Sequence, residues 1–181
     1  ADSDRVDIWP AREVRLTPDM PGTAVVIGIW DTGVDPDLVI PAADPGLAID
    51  HLGHQVPHLF RPAGDFADRI EDLLTMVKGS MDLRAGVETA EADAFQTRMQ
   101  GLDPGSWQAF AEEMGFMTHY AHGTPVACTA VEGNPFARVH VVAFHAAVRR
   151  ADMRMDRDIS ARRRAFYAEA VSRLRAAGAR V

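Results

Sequence analysis

A single cysteine, Cys128, is all that this 181-residue chain contains, so no disulfide can form within it, and the redox compartment stays open. Long apolar runs are also missing: nothing approaches the roughly 18 consecutive residues that a membrane-crossing helix needs. The opening ADSDRVDIWP is acidic and lacks the apolar centre of a signal peptide, so an exported parent would have lost its signal before residue 1. Positive charge is in short supply, with 19 Lys and Arg against 26 Asp and Glu, and the net charge of −7 argues against nucleic acid as a partner. What remains is ordinary for a globular domain: 47% hydrophobic and 25% charged residues, at a length suited to one domain with a proper core.

The apolar patterning predicts an α/β chain. Residues 23–31 (TAVVIGIWD) form a continuous β-branched run, which reads as a parallel-sheet strand buried on both faces. The Gly/Pro/Asp cluster DTGVDPD ends it as a turn and leaves Asp31 at the strand's C-terminal edge, where open α/β sheets build their sites. Residues 40–64 read as loop. DFADRIEDLLTMVKG, ETAEADAFQTRMQGL and GSWQAFAEEMGFM then carry helical periodicity, the last with Ser106 as N-cap, and residues 40–118 read as a helical insertion. HGTPVACTAVEG reads as a short helix starting at His122 and closed by Gly133. ARVHVVAF follows as a second buried strand. A helix over 158–177 carries Phe166, Ala170, Leu174 and Ala177 at helical spacing, with Gly178 just past its end, and the closing ARV reads as the start of another strand.

Two triplets carry the chemistry: Asp31-Thr32-Gly33 after one strand and His122-Gly123-Thr124 before a helix. A buried carboxylate beside a histidine accepts its Nδ1–H, fixes the tautomer and stabilises the imidazolium formed when Nε2 takes a proton from a nucleophile. Each triplet alone is a common turn or helix start. Together, in this order and each beside an apolar strand, they form a candidate catalytic pair.

VVIGIWDTGVDPDL and HGTPVACTAVEGNPFARVHVVAF resemble the aspartate and histidine regions of the subtilisin-like serine peptidases. The resemblance covers roughly residues 23–39 and 119–181. It implies the N-terminal part of a parallel-sheet α/β catalytic domain of subtilisin-like fold. Asp31 would be the triad aspartate, His122 the general base, and a polypeptide the substrate. MDLRAG and GNPFAR match a bacterial subgroup with a long helical segment between the two motifs. The resemblance implies no organic cofactor. Bound calcium is common in the family, with no ligands assignable here, and a secreted or periplasmic location is favoured. Membrane and nucleic-acid partners are not expected, and the oligomeric state stays open.

Departures from the family pattern bear on activity. Pro125 stands where the family has a second histidine, and Cys128 where it prefers glycine. None of Ser3, Ser80, Ser106, Ser160 and Ser172 sits in the family's Gly-Thr-Ser setting, and no oxyanion-hole asparagine is recognisable. The chain by itself is therefore expected to be inactive, with the missing parts lying beyond Val181.

Other readings are weighed against this one. A lone Asp-Thr-Gly also begins aspartic proteases, but these need two carboxylates and an all-β chain. A fold that has lost its nucleophile and serves as an interaction module is the non-enzymatic alternative. His51, His54 and His58, or His119 with His122, have spacings that suit zinc on a helix, but Gly53 and Pro57 break the first set. Asp35, Asp37 and Asp44 could hold calcium only outside an EF-hand, since that spacing is absent. The arginine-rich stretch from Arg149 is either an anion-binding patch or the solvated face of a helix. His140 and His145 read as structural or surface residues. Phe66, Met76, Phe95, Met99, Trp107, Phe110, Met114 and Phe116 read as the insertion's own core, or as a lid at the cleft rim.

Overall fold

The computed structural model describes residues 15–39 and 46–180. Strand β1 (Val25–Asp31) runs parallel to β4 (Ala137–Phe144) along its whole length, from Val25 opposite Ala137 to Asp31 opposite Ala143. On the far side of β4 lies β2 (Leu47–Ile49), also parallel, and β3 (Gln55–Val56) pairs antiparallel with β2. The two-residue β5 (Ala179–Arg180) pairs with the other edge of β1, giving the order β3-β2-β4-β1-β5. The protein is thus mixed α/β, with an open and mostly parallel sheet.

Strand alternation divides the core between the two faces of this sheet. Ile29, Val139, Val141 and Ala143 pack with Val34, Val39 and Ala127 beneath helix α3 (Trp107–Val131). Leu47, Ile49 and Val142 pack against Phe166 and Ala170 of helix α4 (Arg157–Ala176) on the other face. Ile29 and Asp31 therefore share a face, and that face is α3's. β4 and the short β2 are buried throughout or nearly so. β1, expected to be buried on both faces, is largely half-exposed because β5 flanks just part of it, and Trp30 keeps 41% of its surface, resting edge-on against Tyr167.

Between β3 and α3 stand α1 (Ile70–Ala85), led in by a 3-10 turn over Gly64–Arg69, and α2 (Ala90–Gln100). Thr89 caps α2 through its side chain, which accepts from the Ala92 N–H. The two helices cross closely at Gly79, where a Cβ would sit 2.0 Å from the Glu91 carbonyl oxygen. Leu73, Val77, Phe116 and Met117 join α1 to the first half of α3 as a third small core, with Phe66 and Met114 against it. Met76 and Phe110 are buried too, while Trp107 is exposed.

Three expectations are corrected. Residues 40–64 are not all loop, since β2 and β3 lie within them, and the span read as a helical insertion carries two strands of the main sheet. Ser106 makes no side-chain cap; Asp103 caps the preceding turn instead, accepting from the Gly105 N–H. His122 does not start a helix: α3 runs unbroken from Trp107 to Val131, and His122 lies in its middle with Pro125 inside it. Gly133 does follow its end, at φ +69°, and Gly178 follows α4 at φ +76°.

Candidate active site

β1 delivers Asp31 to its C-terminal end, and α3 carries His122 across that end. The His122 ring donates from Nδ1 to Asp31 Oδ1 at 2.7 Å. An ionised carboxylate accepts only, so the neutral imidazole carries its proton on Nδ1 and keeps a lone pair on Nε2. The same Oδ1 accepts from the backbone N–H of Thr32 at 2.6 Å and from the Thr32 hydroxyl at 3.2 Å. Three donors converging on one oxygen hold the carboxylate in place. The Asp31 side chain is 15% exposed and that of His122 52%, so the carboxylate is sheltered while the imidazole faces solvent.

The residues after His122 fasten the helix to the turn. The Gly123 N–H donates to the Thr32 carbonyl at 3.0 Å, and the Thr124 hydroxyl accepts from the Asp35 N–H at 2.9 Å. Gly123 is the only residue type that fits: a Cβ there would lie 2.3 Å from the Thr32 oxygen and 2.9 Å from the Gly33 oxygen. Gly33 has φ +50°, and a Cβ on it would press on the carbonyls of His119 and Tyr120. Both glycines thus serve one close crossing of helix over turn. Pro125 has no N–H for the carbonyl of Ala121, so the helix lacks one bond across the very turn that holds this crossing.

The neighbours of the pair are apolar or already engaged. Tyr120 packs between Phe60 and Phe116, and burial, helped by the Asp35 charge, pushes its hydroxyl above the usual tyrosine range. His119 turns its Nδ1 to the Gly115 carbonyl of its own helix at 2.7 Å and shares no partner with His122. Cys128 sits one and a half turns beyond His122, packed against the core beneath α3 with its sulfur 3.9 Å from the Leu38 carbonyl oxygen. Ser160 places its hydroxyl by the Met155 sulfur. Among the described residues, no hydroxyl hydrogen-bonds the His122 ring.

A groove of about 620 Å³ opens beside His122, between α1 and α3, walled by Leu74, Val77, Met81, Ala121, Pro125 and Val126. These wall residues did not stand out as functional in the sequence. Their signal is the spacing of Leu74, Val77 and Met81 on one face of α1, which the short motifs overshadow.

The remaining candidates lie apart. His54 pairs with Asp50 in the β2–β3 turn, and no group of three or more His, Cys, Asp or Glu suited to a metal exists among the described residues. The Asp35 carboxylate accepts from the Asp37 N–H as an ordinary turn; Asp44 lies outside the described residues. Of the arginine-rich stretch, Arg162 and Arg163 donate to the carbonyls of Leu52 and His51, binding α4 to the β2–β3 turn. His140 and His145 are both buried. Burial holds the His145 imidazole below its usual range against the opposing hydrogen bond to the Leu59 carbonyl, with the Arg61 charge adding to the depression.

No known protein family, curated protein or solved structure matches the chain.

Proposed function

We propose that Asp31 and His122 are the orienting carboxylate and general base of a serine peptidase of subtilisin-like fold, whose nucleophilic serine and oxyanion donors come from outside these 181 residues. The observation that carries this reading is the threefold fastening of consecutive residues: His122 to Asp31, Gly123 to Thr32 and Thr124 to Asp35. A chance surface contact has no need of two further bonds from the residues beside it. Here the helix is held against the turn so that the imidazole cannot drift from the carboxylate.

The chemistry follows from that arrangement. Nε2 takes the proton of a serine hydroxyl as its oxygen attacks the scissile carbonyl, and Asp31 stabilises the imidazolium that results. The imidazolium gives the proton to the amine nitrogen as the C–N bond breaks, leaving an acyl-enzyme. Water, deprotonated by the same nitrogen, then releases the acid. The exposure of His122 leaves Nε2 reachable by both the serine and the leaving amine.

The test is fluorophosphonate labelling of the complete product of the gene. Labelling that disappears in His122→Ala and falls steeply in Asp31→Asn supports the peptidase. An intact, folded product that takes no label sinks it and leaves a binding role for the same fold.

A further inference from the structure

The groove beside His122 has a composition that selects among substrates. Its walls come from two helices, Leu74, Val77 and Met81 from α1 and Ala121, Pro125 and Val126 from α3, and His122 itself forms part of the lining. Two of the polar groups along it are turned to partners of their own. Lys78 reaches Asp82 at 2.6 Å and Glu91 at 3.2 Å, and the Thr118 hydroxyl donates to the Met114 carbonyl at 2.8 Å. Apolar side chains are nevertheless left in water here: Met81 is 53% exposed, and Leu74 and Val126 are exposed as well. A volume of about 620 Å³ falls within the range of ligand-binding clefts, roughly 300–1,000 Å³.

We infer that this groove receives an apolar side chain of the polypeptide substrate, next to the bond presented to His122, and that Leu74, Met81 and Val126 set this preference. The inference rests on the peptidase reading above. A peptide bond within reach of Nε2 lies at the groove mouth, because His122 belongs to both. A leucine or larger apolar side chain entering there removes Leu74, Met81 and Val126 from water along with itself, at about 25 cal/mol per Å² of apolar surface. A carboxylate entering the same place loses its hydration and comes up against the Asp82 carboxylate, while the Lys78 ammonium is already shared between Asp82 and Glu91. The wall from α1 is what makes the site: without it the face of α3 is a flat surface, not a cleft.

The inference is tested by titrating the isotope-labelled chain with two blocked hexapeptides that differ only in a central Leu or Glu, following amide signals by NMR. The Leu peptide is expected to shift the signals of Leu74, Met81, Val126 and His122, and to bind at least tenfold more tightly than the Glu peptide. Val126→Asp and, independently, Met81→Glu are each expected to weaken the Leu peptide about tenfold while the Nδ1–H tautomer of His122 persists. Equal binding of the two peptides, shifts that map elsewhere, or affinity unchanged in both variants overturns the inference. So does broadening of the groove signals with protein concentration alone, which makes a second copy of the chain the occupant. Labelling of the complete product separates the two readings. Selective Leu binding without label keeps the groove and removes the peptidase, and label without Leu selectivity does the reverse.

Discussion

The N–H of Gly123 and the carbonyl of Thr32 meet at 3.0 Å, so at this point the helix that carries His122 touches the turn that follows Asp31 backbone to backbone. Gly123→Ala places a methyl group 2.3 Å from that carbonyl oxygen, so helix and turn must separate. The expected loss is about 1–3 kcal/mol, the usual cost of overpacking. Gly115→Ala, in the same helix with open space around it, is expected to gain up to about 1 kcal/mol from helix propensity. Urea unfolding of the two variants beside the parent checks the contrast.

Asp31→Asn offers His122 an amide in place of a carboxylate. The side-chain amide can then donate to Nδ1, which moves the proton to Nε2 and removes the base. In the complete product, fluorophosphonate labelling is expected to slow by about 10⁴-fold, the loss seen when a triad histidine is held in the wrong tautomer. Nitrogen-15 shifts of the His122 ring report the tautomer directly.

Thr124→Val keeps the shape of the side chain but withdraws the acceptor of the Asp35 N–H. An amide left without a partner costs about 1–3 kcal/mol if water cannot reach it, and less at this half-buried place. The expected signature is local: faster hydrogen exchange at Asp35 with the strands of the sheet unaffected.

His145 makes stability depend on pH. Its folded-state imidazole is held below the usual value of 6.5, first by burial and then by Arg61, despite the Leu59 carbonyl. The unfolded chain therefore binds the proton at a higher pH than the folded one. Stability is full above about 6.5, the ordinary histidine value, falls as pH drops below it, and levels off beneath the folded-state value. Urea midpoints measured between pH 7.5 and 5 should decline, and His145→Gln should flatten that decline.

Gly79→Ala brings a methyl group 2.0 Å from the Glu91 carbonyl oxygen and forces α1 and α2 apart. A loss of about 1–3 kcal/mol is expected in urea unfolding. Because α1 forms one wall of the groove, a weaker affinity for the Leu hexapeptide should accompany it.

β4 and α4 were legible in the sequence because each is long and periodic: eight apolar-rich residues between a turn and a loop, and more than five helical turns with Gly178 just behind. β2 and β3 were not, since three and two residues show no period; β2 exists because Leu47–Ile49 pairs along β4. His122 misled in a different way. Gly, Thr and Pro in succession are helix-start residues, yet here they lie mid-helix, where Gly123 and Thr124 bond to the neighbouring turn. The meeting of Asp31 with His122 followed from residue types and order. The groove did not, because it depends on how α1 crosses α3, and no short motif encodes a crossing.

Asp31 and His122 stand 91 positions apart, and the strands β1 and β4 pair in register across a still longer interval, with Asp31 opposite Ala143. Closing so long a loop carries an entropic cost that local helices do not share. The α1–α2 pair can form within its own neighbourhood, whereas the union of β1 with β4 must wait for the two ends of the intervening chain to find each other. The pair at the candidate active site is then among the last contacts a folding molecule makes. A chain stalled on the way, helices formed and strands apart, holds both residues and no paired imidazole.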